Sequence, residues 1–403
     1  MNKLCVALMG LPARGKSTLA KRIQHGLEQL GSHTAIFNNG ALRRKLLGED
    51  TASPEFFNPA NEDARLQRER LAVMNMEQAK AWLRDKGDVA VIDATHGTLA
   101  QRTLLREMLS DQPVLFVECV NEDPLLLDLS MRRKARLPEF ANMSEELALA
   151  AFKQRVAYYE NVYTPLTHAE PGCWMLVDAV DNRVLDEAPD NNVPYYAAIR
   201  DIVSSRWVRN LYLVRHGETA YNLENRLGGN PPLTEQGLDQ ARKLADHFQG
   251  VHLPYIFTSM LLRSQMTAQP LLAERPACAC LALSEFDEIN AGICENMRYK
   301  DVFDLMPAEY EARAADKYRY AYPGGESYAD LQGRVAAGLR RAFFLAAEDT
   351  MLIVGHQAIN RTILSLLLFQ RPEDIPYAYI PQNQYFHITI TQRRKLFEMI
   401  RYA

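Results

Sequence analysis

The 403-residue chain has no apolar run long enough to span a bilayer, so nothing in it reads as a membrane segment. A surplus of one charge is missing too. Lys and Arg number 46 against 50 Asp and Glu, a formal net charge of -4, so no global basic field advertises nucleic-acid binding. Cysteine is sparse and scattered, at Cys5, Cys119, Cys173, Cys278, Cys280 and Cys294. Cys278 and Cys280 stand too close for ordinary zinc-ligand spacing and no second pair follows; reduced thiols in a cytoplasmic protein are the inference. There is no internal repeat and no low-complexity tract. The run Leu4-Cys5-Val6-Ala7-Leu8-Met9 is short and has no small-residue cleavage site after it, so it reads as a buried strand rather than a signal segment.

What is present is a globular composition, 47% hydrophobic and 24% charged, over a length that suggests two domains. Thr34-Ala35-Ile36-Phe37, Val89-Ala90-Val91-Ile92 and Val114-Leu115-Phe116-Val117 read as buried parallel strands. Residues 60–85 carry a helix pattern, with Leu66, Leu71, Met74 and Ala81 among many charges. The polar stretch from Asp186 to Pro194 is a candidate linker, followed by a connecting helix around Tyr196 to Val203. A second alternation then begins. Leu211 to Val214, Tyr255 to Phe257 and Met351 to Val354 look like central strands, with helices near 235–248, 260–274 and 327–347. The expected plan is α/β: two doubly wound domains, 1–205 and 206–403, with the boundary near residue 206.

Gly10-Leu11-Pro12-Ala13-Arg14-Gly15-Lys16-Ser17 fits G-x-x-x-x-G-K-[ST], and Thr18 follows it. A strand precedes the loop, and a helix with Leu19, Ile23, Leu27 and Leu30 on one face follows it. That context separates a phosphate loop from a chance match on a turn. Its backbone N–H groups would cradle the phosphates of ATP, Lys16 would reach the β- and γ-phosphates, and the Ser17 hydroxyl would sit on Mg²⁺. Asp93 ends a strand, where ligands of parallel sheets bind. A carboxylate there holds Mg²⁺ or accepts a hydroxyl proton during phosphoryl transfer; the competing reading is a helix N-cap. Arg43, Arg44, Arg68, Lys134 and Arg155 are singly no more than surface charges. Together they suit a phosphorylated sugar acceptor.

The second half carries Leu211-Tyr212-Leu213-Val214-Arg215-His216-Gly217-Glu218, a strand followed by Arg-His-Gly-Glu. This resembles the histidine phosphatase (phosphoglycerate-mutase-like) superfamily. His216 at a strand end suits a nucleophile attacking phosphorus, and Arg215 beside it offers donors to phosphoryl oxygens. Arg263, Glu288 and His356 complete the set. Glu288 would protonate the leaving oxygen and then activate water, and His356 is expected to hold phosphoryl oxygens in its charged form. No metal is called for in this half.

Taken together, the chain resembles the bifunctional 6-phosphofructo-2-kinase/fructose-2,6-bisphosphatase family, in that domain order and over most of its length. The resemblance implies a P-loop kinase fold followed by a histidine phosphatase fold. The first would use ATP and Mg²⁺ to make fructose 2,6-bisphosphate from fructose 6-phosphate, and the second would hydrolyse the 2-phosphate. It places Arg43, Arg44, Arg68, Lys134, Arg155 and Tyr159 at the kinase acceptor site. It assigns Asn222, Gly229, Tyr299, Arg313, Lys317, Tyr328, Gln357 and Arg361 to the phosphatase's sugar and phosphate pocket. Family members are often homodimers, which is carried here as an implication of the resemblance alone.

Two positions depart from the family pattern. After Asp93-Ala94-Thr95 the family continues Asn-Thr-Thr-Arg, and this chain continues His96-Gly97-Thr98-Leu99. A family cysteine is replaced by Asn121. These motivate an alternative reading: an active phosphatase joined to a kinase of altered acceptor specificity, or to a nucleotide-sensing domain. The chain starts almost on its first strand and stops soon after its last, which reads as a member without the regulatory extensions of animal members. The expectation is therefore no control by tail phosphorylation, as in a bacterial-style member.

Overall fold

The strand Leu4–Met9 (β1) is buried along its whole length. A strand with no wet face needs a partner on each side and helices above and below. The computed structural model, which describes residues 3–205, 208–346, 350–368, 371–390 and 395–403, supplies both. In chain order the strands that join β1 are Thr34–Asn38 (β2), Val89–Asp93 (β3), Val114–Val120 (β4), Cys173–Asp178 (β5) and Arg183–Ala188 (β6). They run β2-β3-β1-β4-β5-β6, parallel except for β6, which is antiparallel to β5. The expected linker from Asp186 therefore begins inside an edge strand. Its polar side chains hid it, because an edge strand gains its pairing from the backbone and keeps charged groups toward water.

The helix Lys16–Gln29 buries Leu19, Ile23 and Leu27 on one face of this sheet. Leu30 falls past the helix end and is exposed. The helix Tyr196–Ser204 contributes Tyr196, Ile199, Ile202 and Val203 to the same core, so it is part of the first unit rather than a connector. On the opposite face, the helix Glu62–Asp85 buries Leu71, Asn75, Met76, Ala79 and Leu83. Of the four residues in which the helix pattern was read, Leu71 is buried, and Leu66, Met74 and Ala81 are exposed. Asn75 takes an inward position because its amide donates to the Phe37 carbonyl at 3.0 Å at the end of β2. A satisfied buried amide is tolerated where a bare one is not.

The chain separates into two units, Met1–Ser205 and Arg206–Ala403. The boundary expected near residue 206 lies outside the described residues. The second unit has its own six strands: Val208–Arg215 (β7), Tyr255–Thr258 (β8), Ala279–Ala282 (β9), Thr350–Gly355 (β10), Gln384–Ile390 (β11) and Lys395–Arg401 (β12). Their order is β12-β11-β7-β10-β8-β9. β7, β10, β8 and β9 are parallel, and β11 is antiparallel to both β7 and β12. Helices Glu235–His247, Leu262–Ala273 and Tyr328–Ala346 lie close to their expected ranges; residue 347 is outside the described residues. All six cysteines are free. No helix among the described residues is long and apolar enough to cross a membrane.

Candidate active sites

In the first unit, the loop after β1 turns through left-handed residues at Gly10 (φ 132°), Ala13 (66°) and Gly15 (94°). A β-carbon on Gly10 would meet the Cys119 carbonyl oxygen at 2.5 Å, so only glycine fits. The Gly10 N–H donates to the Thr95 carbonyl at 3.1 Å and ties the loop to the end of β3. Lys16, Ser17 and Thr18 then open the helix. Their N–H groups have no intrahelical acceptor, which with the helix dipole makes an anion site. Lys16 Nζ folds over the loop and donates to the Gly10 and Leu11 carbonyls, each at 2.7 Å. Burial pushes the Lys16 ammonium down to about 8, against the opposing pull of Asp93.

Register places Asp93 beside Leu8 of β1 and Asn38 of β2. The Asn38 amide donates to Asp93 Oδ2. The following helix, Leu99–Met108, is capped by Thr98 with Gln101 closing the capping box. The helix-cap reading of Asp93 is thereby removed, and its buried carboxylate faces the charges of Lys16 and Lys134.

Lys134 faces it, and Arg155, Arg44 and Arg43 join Lys134 through successive electrostatic contacts. Burial lowers the pKa of Arg43, Lys134 and Arg155, and like charge lowers Arg43 and Lys134 further. The carboxylate that answers them is Glu139, paired with Arg43 and 3.7 Å from Arg44. Glu139 belongs to no motif, and nothing in the sequence singled it out. Arg155 lies 3.9 Å over the Phe57 ring, and its Nε has no hydrogen-bond partner. Arg68 sits behind, donating to the Phe56 carbonyl and facing the Phe56 ring at 5.9 Å. Tyr159 packs on Phe57. A buried cluster with this surplus of cations is built to receive an anion.

In the second unit, parallel pairing aligns the ends of three strands. Gly355 of β10 is level with Arg215 of β7, and Val354 with Thr258 of β8. His216 and His356 therefore emerge side by side, their rings 5.1 Å apart. His216 Nδ1–H donates to the Gly217 carbonyl at 2.7 Å, which leaves Nε2 as the bare lone pair. Burial, then Arg263 and Arg215, drive the His216 pKa well below its ordinary value. The ring is thus neutral and nucleophilic at neutral pH. Glu288 accepts the N–H groups of Gln357 (3.0 Å) and Ala358 (3.1 Å) at the start of the helix Gln357–Leu368. That holds it against both arginines.

His356 contradicts one expectation. Arg263 Nε–H donates to its Nδ1 at 3.2 Å, so the ring proton rests on Nε2 and donates to Ser259 Oγ at 2.7 Å. Burial and the neighbouring cations lower its pKa well below 6.5. His356 is held neutral; an imidazolium there would face Arg263 across a donor–donor clash. Ser259, which fixes this tautomer, was not anticipated.

A cavity of about 570 Å³ opens in front of His216. Asn222, Tyr299, Arg313, Lys317, Tyr328, Gln357 and Arg361 all line it, as the resemblance implied. Arg313 faces the Tyr299 and Tyr322 rings, and Arg361 donates to the Tyr328 hydroxyl at 3.1 Å. Burial, Arg313 and Arg361 push Lys317 down to about 8. Gly229 is not part of the lining. Its N–H is taken by Glu295 at 2.6 Å and its carbonyl by Arg263 at 2.7 Å, so it positions Arg263 instead. With φ at 65° and a β-carbon 2.4 Å from Tyr221, only glycine serves there.

The description "6-phosphofructo-2-kinase" matches residues 1–200, and "Histidine phosphatase superfamily (branch 1)" matches residues 211–402. The rat 6-phosphofructo-2-kinase/fructose-2,6-bisphosphatase 1 is 31% identical over 95% of this chain and 81% of its own. The Caenorhabditis elegans enzyme of that name is 32% identical over 95% of this chain and 86% of its own. This chain belongs to the bifunctional 6-phosphofructo-2-kinase/fructose-2,6-bisphosphatase family. Use of ATP by its first domain and of small sugar phosphates follows from that membership.

The departures from the family pattern lie in the kinase unit. His96 is buried at a left-handed φ of 42°, its Nδ1–H donating to the Leu8 carbonyl at 2.8 Å and its Nε2 without a partner. Burial pushes it down to about 4. Asn121 accepts the Asp123 N–H at 2.9 Å, while its own amide nitrogen is buried without a partner. Leu99 is 53% exposed. Arg102, three residues on, does not replace the arginine missing there. Its Nε and Nη2 hold Glu170 at 3.1 and 2.8 Å, and its Nη1 holds the His96 and Thr164 carbonyls.

Proposed function

We propose that the chain runs both reactions of its family, each in its own unit. The observation that carries this is the pair of preorganised sites: Lys16 and Asp93 beside a buried cationic cluster, and a neutral His216 flanked by Arg215, Arg263 and Glu288. In synthesis, Arg44, Lys134 and Arg155 bind the phosphate of fructose 6-phosphate. Asp93 takes the proton of the sugar's 2-hydroxyl as that oxygen attacks the γ-phosphorus of ATP, and ADP leaves. Lys16 stabilises charge on the transferring group. Ser17 and Asp93 offer oxygen donors, the hard ligands that suit Mg²⁺, and Asp93 keeps Oδ1 free of the Asn38 contact. Bound there with the nucleotide, Mg²⁺ supplies charge neutralisation of the phosphates.

In hydrolysis, the His216 Nε2 lone pair attacks the 2-phosphorus, the P–O bond breaks, and Glu288 gives its proton to the leaving oxygen. Glu288 then takes a proton from water, which attacks the phosphohistidine and releases phosphate. Arg215, Arg263 and Asn222 hold the phosphoryl oxygens, neutral His356 orients Arg263 through its Nδ1, and Arg313, Lys317 and Arg361 bind the 6-phosphate. No metal enters this half. A homodimer is the assembly that family membership suggests, read by light scattering of the purified chain, and the scattered free cysteines suit a cytoplasmic location.

Because the His216 pKa lies well below 6.5, its competent neutral form persists as pH falls through that value. Phosphoenzyme formation, followed by rapid quench, is expected to show no loss as pH falls from about 7 to below about 6. A loss centred near 6.5 would sink the neutral-nucleophile assignment.

Two assays test the proposal as a whole: synthesis from Mg-ATP and fructose 6-phosphate, and hydrolysis of fructose 2,6-bisphosphate. A second reading, a kinase of altered acceptor, is favoured by the exposed Leu99 and the unpartnered polar atoms of His96 and Asn121. ATP turnover over a panel of sugar phosphates separates the two. Turnover with fructose 6-phosphate alone supports the family reaction, and turnover with another sugar supports the second reading.

A further inference from the structure

From Pro376, near the end of the 3₁₀ turn Pro372–Tyr377, to β11 the chain forms a strap that joins the lining of the phosphatase cavity at Gln382. Its side chains alternate: Tyr377 and Tyr379 are 66% and 69% exposed, while Pro376 and Ile380 are buried. Its carbonyls on the inner positions are each held by a different cation of the site. Lys317 Nζ donates to Pro376 O at 3.1 Å, Arg361 Nε to Ala378 O at 2.7 Å, and Arg215 Nη1 to Ile380 O at 3.1 Å. These three cations come from parts of the chain far apart in sequence, and the strap is what they share.

Two residues beyond Ile380 is Gln382, a lining residue that no motif singles out. Its Nε2 donates to Asn222 Oδ1 at 2.8 Å and to the His216 carbonyl at 3.4 Å. A backbone carbonyl only accepts, so the Gln382 amide has its NH₂ toward the site. Asn222 Oδ1 also accepts the Thr219 N–H at 3.0 Å and the Thr219 hydroxyl at 3.1 Å. A backbone N–H only donates, so this atom is the oxygen. With its oxygen saturated by three donors, Asn222 has its NH₂ left for the cavity. The Tyr402 hydroxyl, donating to Gln382 O at 2.6 Å, anchors the strap at its far end.

We infer that Gln382 is a positioning residue for phosphoryl transfer, holding the Asn222 NH₂ on the phosphoryl group and the His216 backbone in line. The inference rests on the reading of this pocket as a phosphohistidine site. It predicts which step suffers. Gln382→Leu removes one of three donors and loosens Asn222, so phosphoenzyme formation falls about tenfold with KM for the sugar changed less than about twofold. Gln382→Glu keeps the size but sets a carboxylate against two acceptors, and turns Asn222 so that its oxygen meets the phosphoryl group. Its loss is larger, about a hundredfold.

The deciding experiment is a double-mutant cycle of Gln382→Leu with Asn222→Ala in the full chain, read by rapid-quench phosphoenzyme formation. If Gln382 acts through Asn222, its substitution costs about tenfold in the parent and less than about twofold beside Asn222→Ala. Independent, multiplying losses would overturn the inference, as would an unchanged rate in Gln382→Leu. Should Gln382→Leu fold poorly by circular dichroism, Gln382→Glu carries the cycle on the same criterion. Running the cycle also with para-nitrophenyl phosphate keeps the two ideas apart. If that substrate is hydrolysed and fructose 2,6-bisphosphate is not, the substrate reading fails while the cycle still decides the role of Gln382.

Discussion

His216→Ala is expected to lower hydrolysis of fructose 2,6-bisphosphate by about 10⁴-fold or more while synthesis stays within about twofold. The size follows from what is removed. His216 Nε2 is the one lone pair at the head of the cavity made ready by burial, by the Gly217 carbonyl on Nδ1, and by two arginines that keep the ring unprotonated. Alanine leaves Arg215, Arg263 and Asn222 able to bind a phosphoryl group, but leaves nothing to accept it covalently. Substrate affinity should survive better than turnover, and acid-quenched phosphoenzyme should vanish. The indifference of synthesis follows from placement, since Lys16 and Asp93 belong to a separate unit with its own sheet. Hydrolysis that persists at more than a percent of the parent rate would mean that another group or water attacks directly.

Asp93→Asn is the converse experiment. Synthesis should fall by about 10²- to 10⁴-fold, and hydrolysis should be unaffected. Two effects combine. The acceptor hydroxyl loses the group that takes its proton. The Asn38 amide, which now donates to Asp93 Oδ2, can still find the new carbonyl oxygen, so the backbone should hold while the charge disappears. Lys16 also loses the counter-charge that opposes its depressed pKa, so its ammonium titrates lower still. Nucleotide binding by calorimetry should weaken modestly, whereas Lys16→Ala should weaken it strongly; that contrast separates a base from a binding group. Equal loss of ATP affinity in both variants would recast Asp93 as a nucleotide ligand only.

Much of this chemistry was legible before any coordinates. Gly10 to Thr18 and Arg215-His216-Gly217 are contiguous, and a contiguous motif fixes backbone shape and side-chain type together. The central strands were legible because burial on both faces demands unbroken apolar runs, as in Leu4–Met9. The helix Glu62–Asp85 was found, but the inward position of Asn75 was not legible, because it is held by the Phe37 carbonyl, a partner no periodicity reveals. β6 escaped for a related reason. Its pairing is made by backbone, and its side chains are those of a wet edge.

By itself the sequence determined the two α/β alternations, the phosphate-loop pattern and the strand-ending Arg215-His216 pair, because these depend on residue type and short spacing. The tertiary structure decided protonation and direction: the bare nitrogen of His216, the neutral tautomer of His356, and the amide orientation of Asn222. It also decided that Glu139 tempers the kinase cations, that Gly229 positions Arg263, and that the strap through Gln382 ties the phosphatase site together. Each of these is set by a hydrogen bond or ion pair between groups many residues apart, and register and packing alone bring such partners within 3 Å or so.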